Sequence, residues 1–226
     1  MYIYIQIQCK DMQKRWVLKP KNNSNKVVKL QSALGVDNIV ANLLVSRSIE
    51  TFEDAQYFFR PKLENLHDPF LMKDMHIAIQ RIDQALLNKE KILIYGDFDA
   101  DGVTSTSLLL KTFKFLGAEV DFYIPNRETE GHGLNTKALV KLMSQKQPKL
   151  IITVDNGISN NEEVRFINSF GRDVIITDHH EAPDELPEAY AIINPKAMNA
   201  LDEKLTTTQI GYLTSLAGVG VAFKLA

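Results

Sequence analysis

Two short runs, 150–154 (LIITV) and 174–177 (VIIT), are apolar at consecutive rather than alternate positions. Successive side chains of a strand point to opposite faces, so such runs must be covered on both sides. That is the mark of parallel strands lying between two layers of helices. From Lys91 onward the chain repeats one grammar around them. KILIYGD is followed by a helical stretch over about residues 104–116, and EVDFYIP by one over about 135–145. KLIITVD is followed by one near 161–170, and then come DVIITD and YAIINP. The expected fold class is α/β, a mainly parallel sheet with helices on both faces, spanning residues 91–226.

Before Lys91 the periodicity is helical. Met75, Ala78, Ile79, Ile82, Ala85 and Leu86 share one helix face, with Asp74 as a candidate N-cap. Thr51 with Asp54 resembles a capping box ahead of AQYFF, and Pro61 stops that helix. The reading is a helical region over residues 27–90 behind a polar break, KPKNNSNK. Residues 1–26 read as a poorly ordered or extended segment; the alternating YIYIQIQ lacks the layout of a secretory signal. At roughly 150 residues per domain, the 226 residues allow one large domain or one and a half. No run approaches the ~18 apolar residues of a membrane span, so no membrane association is expected. Cys9 is the single cysteine, which excludes an internal disulfide and favours a reducing, cytoplasmic location.

In an open parallel sheet, ligands sit beyond the carboxyl ends of the strands. Here the first strand ends in YGDFDADG, with Asp97, Asp99 and Asp101 at alternate positions. The third ends in Asp155 (VDNG), and the fourth in Asp178, His179 and His180 (TDHH). Two carboxylates about 5 Å apart repel by roughly 3 kcal/mol at an effective dielectric near 20. Several such pairs on one edge call for raised pKa values or a cation. Aspartate oxygens with imidazole nitrogens suit Mn²⁺ or Mg²⁺, and Zn²⁺ less specifically. A bridging carboxylate at Asp155 would hold two ions about 4 Å apart, the spacing used in phosphoryl hydrolysis. Taken singly, DxD at a strand end is more often an Asx-turn with Gly102 supplying φ freedom, and adjacent histidines are common on surfaces. The convergence of three strand ends carries the metal reading.

Other residues stay open at this level. Arg127 and His132, in PNRETEGHGL after the second strand, either hold a phosphate or belong to a solvated loop. Thr104 and Ser105 either help bind phosphate at a helix N-terminus or cap that helix. His67 and His76 read as structural. GVG at 218–220 is too short for a dinucleotide fingerprint, and neither a P-loop nor a G-x-S-x-G motif is present. The net charge of −2 offers no bulk basic surface, so a nucleic-acid contact needs a local patch or another region.

DFDADGVTST, VDNGIS and TDHH look like the first three motifs of the DHH phosphoesterases. RWVLKP, LHDPFLMKDM, YIPNRETEGHGLN and LAGVGVAFKLA resemble that family's bacterial single-strand-specific 5′→3′ exonucleases, from about Arg15 to Ala226. The resemblance implies that Asp99 and Asp101 bind metal, with Asp97 beside them, that Asp155 bridges, that His179 is a ligand and that His180 faces the scissile phosphate. It implies two ions, Mn²⁺ or Mg²⁺, a single-stranded DNA substrate, a role in repair and recombination, and single-strand-binding protein or helicase partners. The alternatives are a DHH phosphodiesterase acting on short oligonucleotides or cyclic dinucleotides, a pyrophosphatase, or an inactive binding module.

The family carries a later aspartate motif and a second domain that this sequence lacks, so the 226-residue chain is expected to be a fragment, inactive by itself. MQKRWVLKP reads as a natural opening of the family, which makes Met12 an alternative start. Residues 199–215 do not match the approach expected before LAGVG.

Overall fold

The computed structural model describes residues 20–197, 200–201 and 204–226. The Met12 start, the alternating run before it and part of the 199–215 stretch lie outside the described residues. Among the described residues, one compact unit ends at Leu66 and a second spans His67–Ala226.

The first unit holds α1 (Ser24–Leu34), α2 (Asn38–Val45) and α3 (Phe52–Phe59). Helix α1 starts inside the stretch read from its polarity as unstructured. The side chain of Asn23 accepts from the backbone N–H groups of Asn25 and Lys26, so part of that polarity is a helix cap. Thr51 and Asp54 form the reciprocal box at the start of α3. Val27, Leu30, Ala41, Leu44, Val45 and Ala55 close the unit's core.

The second unit contains α4 (Met75–Leu87), β1 (Ile92–Tyr95), α5 (Ala100–Phe115), β2 (Val120–Tyr123) and α6 (Thr136–Lys146). It continues with β3 (Leu150–Val154), α7 (Asn161–Ser169), β4 (Asp173–Thr177), β5 (Ala191–Ile193), α8 (Thr207–Thr214) and α9 (Gly218–Leu225). The five strands form one sheet in the order β2-β1-β3-β4-β5, every pair parallel. Both faces are covered, as the consecutive apolar runs require. Ile92, Ile94 and Ile152 pack with Ile82, Phe113 and Val221 from α4, α5 and α9. Leu93, Ile151 and Ile176 pack with Leu139, Leu142 and Ile167 from α6 and α7. The two threonines in these strands are buried with partners: Thr177 donates to the Thr153 carbonyl and Thr153 to the Asn156 carbonyl.

The helical stretch 27–90 is divided between the units. The apolar stripe of α4 belongs to the sheet's core, and the break falls after Leu66 rather than before Lys91. Asp74 stands at the N-cap position of α4 but in the left-handed region (φ 62°), and its side chain makes no cap bond. Its carboxylate accepts from the Ile192 N–H instead, tying α4 to β5. Arg81 on α4 is buried and donates to Asp173 at 2.6 Å and to Glu90 at 2.7 Å, which fastens the helix to the start of β4.

In this strand order the winding reverses between β1 and β3. The loops leaving those two strands diverge and open a crevice at the carboxyl edge of the sheet.

Candidate metal centre

The turn from β1 into α5 is built by its own aspartates. Asp99 is the N-cap of α5 and accepts from the Asp101 and Gly102 N–H groups at 2.9 and 3.0 Å. Those amides, that of Gly102 foremost, hold its carboxyl below the ordinary carboxylate range. Gly102 lies inside α5 rather than in the left-handed region, so its role is space and not φ freedom. A Cβ there would stand 2.5 Å from the Asp97 carbonyl oxygen, a contact only glycine avoids. Asp97 is buried. One of its oxygens accepts from the Phe98 N–H at 2.6 Å, and the other lies 2.9 Å from His132 Nδ1. Asp101 points elsewhere: its two oxygens accept from the Gly218 and Val219 N–H groups, both at 2.7 Å.

Asp155, the residue after β3, has φ 61° and is 2% exposed. Its Oδ1 is buried without a hydrogen-bond partner. His179 Nε2 lies 3.1 Å from that oxygen and 3.6 Å from Asp101 Oδ2, so one imidazole nitrogen reaches both carboxylates. Burial, then the charges of Asp101 and Asp99, push the Asp155 carboxyl up to about 8.

The loop after β4 is shaped by Asp178, which the strand-end pattern contains but which no motif argument singled out. It is buried. Its Oδ1 takes the His179 N–H and His180 Nδ1, both at 2.7 Å, and its Oδ2 takes the Ile158 N–H at 3.0 Å. Asp178 is therefore an orienting carboxylate. It aims His180, whose side chain is 57% exposed. Burial lowers the His180 pKa, but the bond to Asp178 and that residue's charge outweigh it, leaving the imidazole raised.

Two donor groups result. Donor atoms of Asp97, Asp99 and Asp155 lie within 4.8 Å of one another, and so do those of Asp155, His179 and His180. Asp155 is common to both. A buried, unpartnered oxygen between like charges is what a cation would relieve, and the carboxylate and imidazole donors fit Mn²⁺ or Mg²⁺. The expected set was Asp99, Asp101, Asp155 and His179. The structure brings Asp97 in beside Asp99 and turns Asp101 toward α9, with His179 still within reach. The cleft over the centre, about 470 Å³, is lined by Asp97, His132, Asp155, Asn156, Asp178 and His180.

The remaining candidates separate. His132 lines the cleft. Arg127 sets its guanidinium over the Phe98 ring, 5.5 Å from the centroid, and the same ring lies 4.3 Å from that of His132. Ser105 is corrected: it is fully buried and its hydroxyl donates to the Asp101 carbonyl one turn back, so it cannot meet a phosphate. Thr104 donates to the Ala100 carbonyl, and the cap of this helix is Asp99. His76 stacks on Phe70 and His67 sets its ring against Tyr212, both away from the cleft.

Fold and site together define an open α/β domain with an aspartate–histidine centre at its switch point. Residues 91–226 match the DHH family, N-terminal domain, and the chain belongs to that family. Among curated proteins it is similar to the single-stranded-DNA-specific exonuclease RecJ of Bacillus subtilis (strain 168). The identity is 46% over 212 residues, covering 94% of this chain and 26% of that protein. With RecJ of Escherichia coli (strain K12) it shares 42% over 149 residues, 66% of this chain and 24% of that one. A crystal structure of exonuclease RecJ bound to manganese aligns with a TM-score of 0.57 and 33% identity, over 68% of this chain and 36% of that one. RecJ from Thermus thermophilus in complex with Mn²⁺ aligns with a TM-score of 0.66 and 26% identity, over 91% and 27%. The chain thus spans about a quarter of the length of the curated relatives it matches.

Proposed function

We propose that this chain carries the phosphodiesterase centre of a metal-dependent exonuclease that degrades single-stranded DNA from the 5′ end, in the cytoplasm, during repair and recombination. Single-strand-binding protein or a helicase would be its working partners. The observation that carries the reading is the pair of donor groups joined through Asp155, the layout of a two-ion hydrolase. Asp97, Asp99 and Asp155 would hold one Mn²⁺ or Mg²⁺, and Asp155 with His179 the second. Bound there, the ions would supply an activated water and neutralise charge on the phosphoryl oxygens. His180, held through Nδ1 by Asp178, is left to donate its other ring N–H to a phosphate oxygen. His132 in the cleft, and Arg127 on the Phe98 ring that His132 also contacts, would meet the next phosphate of the strand.

The test is degradation of 5′- and 3′-labelled single strands by the full-length product of the locus with Mn²⁺, Mg²⁺ or EDTA, beside an Asp155→Ala variant. Metal-dependent release of mononucleotides from the 5′ end, lost in the variant, is expected. Turnover confined to linear or cyclic dinucleotides would overturn the substrate assignment. Activity that persists in EDTA would overturn the mechanism.

A further inference from the structure

The GVG stretch at 218–220 opens α9, and its two glycines face different surroundings. A Cβ on Gly220 would meet only the Leu216 side chain, at 3.1 Å, which can give way. A Cβ on Gly218 would stand 2.5 Å from Asp155 Oδ1 and 2.8 Å from its Cγ. That oxygen belongs to a carboxyl with 2% exposure, and it has no hydrogen-bond partner. The same residue and its neighbour donate their backbone N–H groups to both oxygens of Asp101. A carboxylate whose two oxygens each accept from a backbone amide at a helix N-terminus is fixed in orientation. Behind these residues, Val221, Ala222 and Leu225 anchor α9 in the sheet's core, so its first turn cannot drift independently.

We infer that the first turn of α9 is a positioning clamp for the metal centre. Its amides fix Asp101, whose Oδ2 lies 3.6 Å from Nε2 of His179, and the bare Cα of Gly218 leaves Asp155 the space to turn its Oδ1 toward the ions. The part played by the ions rests on the function proposed above, while the clamp itself rests on the contacts of α9 with Asp101 and Asp155. Gly218 and Val219 are positioning residues; neither touches substrate.

Titration of the 226-residue protein with Mn²⁺, followed by electron paramagnetic resonance of the free ion, tests it in three forms: unsubstituted, Gly218→Ala and Gly220→Ala. Alanine favours a helix over glycine at both positions, so helix stability alone weakens neither variant. Gly218→Ala should bind Mn²⁺ at least about tenfold more weakly while melting no earlier than Gly220→Ala, which should bind within about twofold of the unsubstituted chain. In the metal-free protein, Asp101→Ala should speed hydrogen exchange at the Gly218 and Val219 amides about tenfold or more and leave the last turn of α9 unchanged. Equal Mn²⁺ affinity in all three forms, equal loss in both glycine variants, or unaltered amide exchange would overturn the clamp. If the unsubstituted chain takes up no Mn²⁺, the two-ion reading fails instead, and amide exchange still decides the clamp.

Discussion

A carboxyl that is 2% exposed and faced by Asp99 and Asp101 can relax in two ways, by taking a proton or by taking a cation. Its folded pKa, about 8, lies above the ordinary 3.8, so the folded state holds the proton more tightly than the unfolded state does. The contribution to stability is full below about pH 4 and is lost as the pH rises through about 8. Without divalent ion, the melting temperature should fall between about pH 5 and pH 9, and Mn²⁺ should restore it at the upper end. Asp155→Asn should flatten the slope. A metal-free melting temperature that climbs over this range would contradict the assignment. His180→Ala should act on chemistry more than on ion binding, because the imidazole is fixed by Asp178 and largely open to the cleft. A loss of about 10²–10⁴-fold in turnover by the full-length protein is expected, with Mn²⁺ affinity nearly kept. Calorimetry showing the reverse pattern would reject the role. Much at this scale was legible, since strand boundaries alone put Asp97, Asp99, Asp155, His179 and His180 on one edge. The turn of Asp101 toward Gly218 was not, because that contact closes over 117 residues. Nor was the burial of Ser105, which depends on the phase of α5 against the sheet.

The elements divide along similar lines. Runs apolar on consecutive positions announce covered strands without further help, and β3 and β4 lie where LIITV and VIIT placed them. The fate of α4 was less readable. Its stripe said helix but not which core the helix joins, and the answer lies in pairs distant in sequence: Asp74 with the Ile192 amide, Arg81 with Asp173. Gly102 shows the same limit, since a glycine after a DxD reads as a turn until the neighbouring backbone is seen. Arg81 gives a direct check. Its side chain is 5% exposed, while those of Glu90 and Asp173 are 20% and 40% exposed, so solvent weakens the pairs and rescues the orphaned acids in part. Arg81→Ala should therefore cost about 2 kcal/mol, below the roughly 3–5 kcal/mol typical of a fully buried pair. Arg81→Met, which keeps the packed stem, should cost less. Urea unfolding is the measurement, and a change under about 0.5 kcal/mol for Arg81→Ala would show that the cluster does not hold α4 to the sheet.

Over the whole molecule, the two units keep separate cores. The residues that close the first all precede Phe59, and those that close both faces of the sheet all follow Leu66. Every side chain of the metal centre, its orienting residue Asp178 and the α9 clamp lie in the second unit. A unit with a core of its own is expected to fold alone, and a site built wholly within it should survive the removal of the other. The polypeptide of residues 67–226 should therefore melt cooperatively and bind Mn²⁺ within about threefold of the 226-residue chain, since no donor is lost. Circular dichroism and Mn²⁺ titration on the two proteins side by side make the comparison. A shortened chain that folds but has lost Mn²⁺ by about tenfold or more would mean that the helices before His67 take part in the centre, against the division of labour read here. A shortened chain that fails to fold would mean that the sheet's core depends on them.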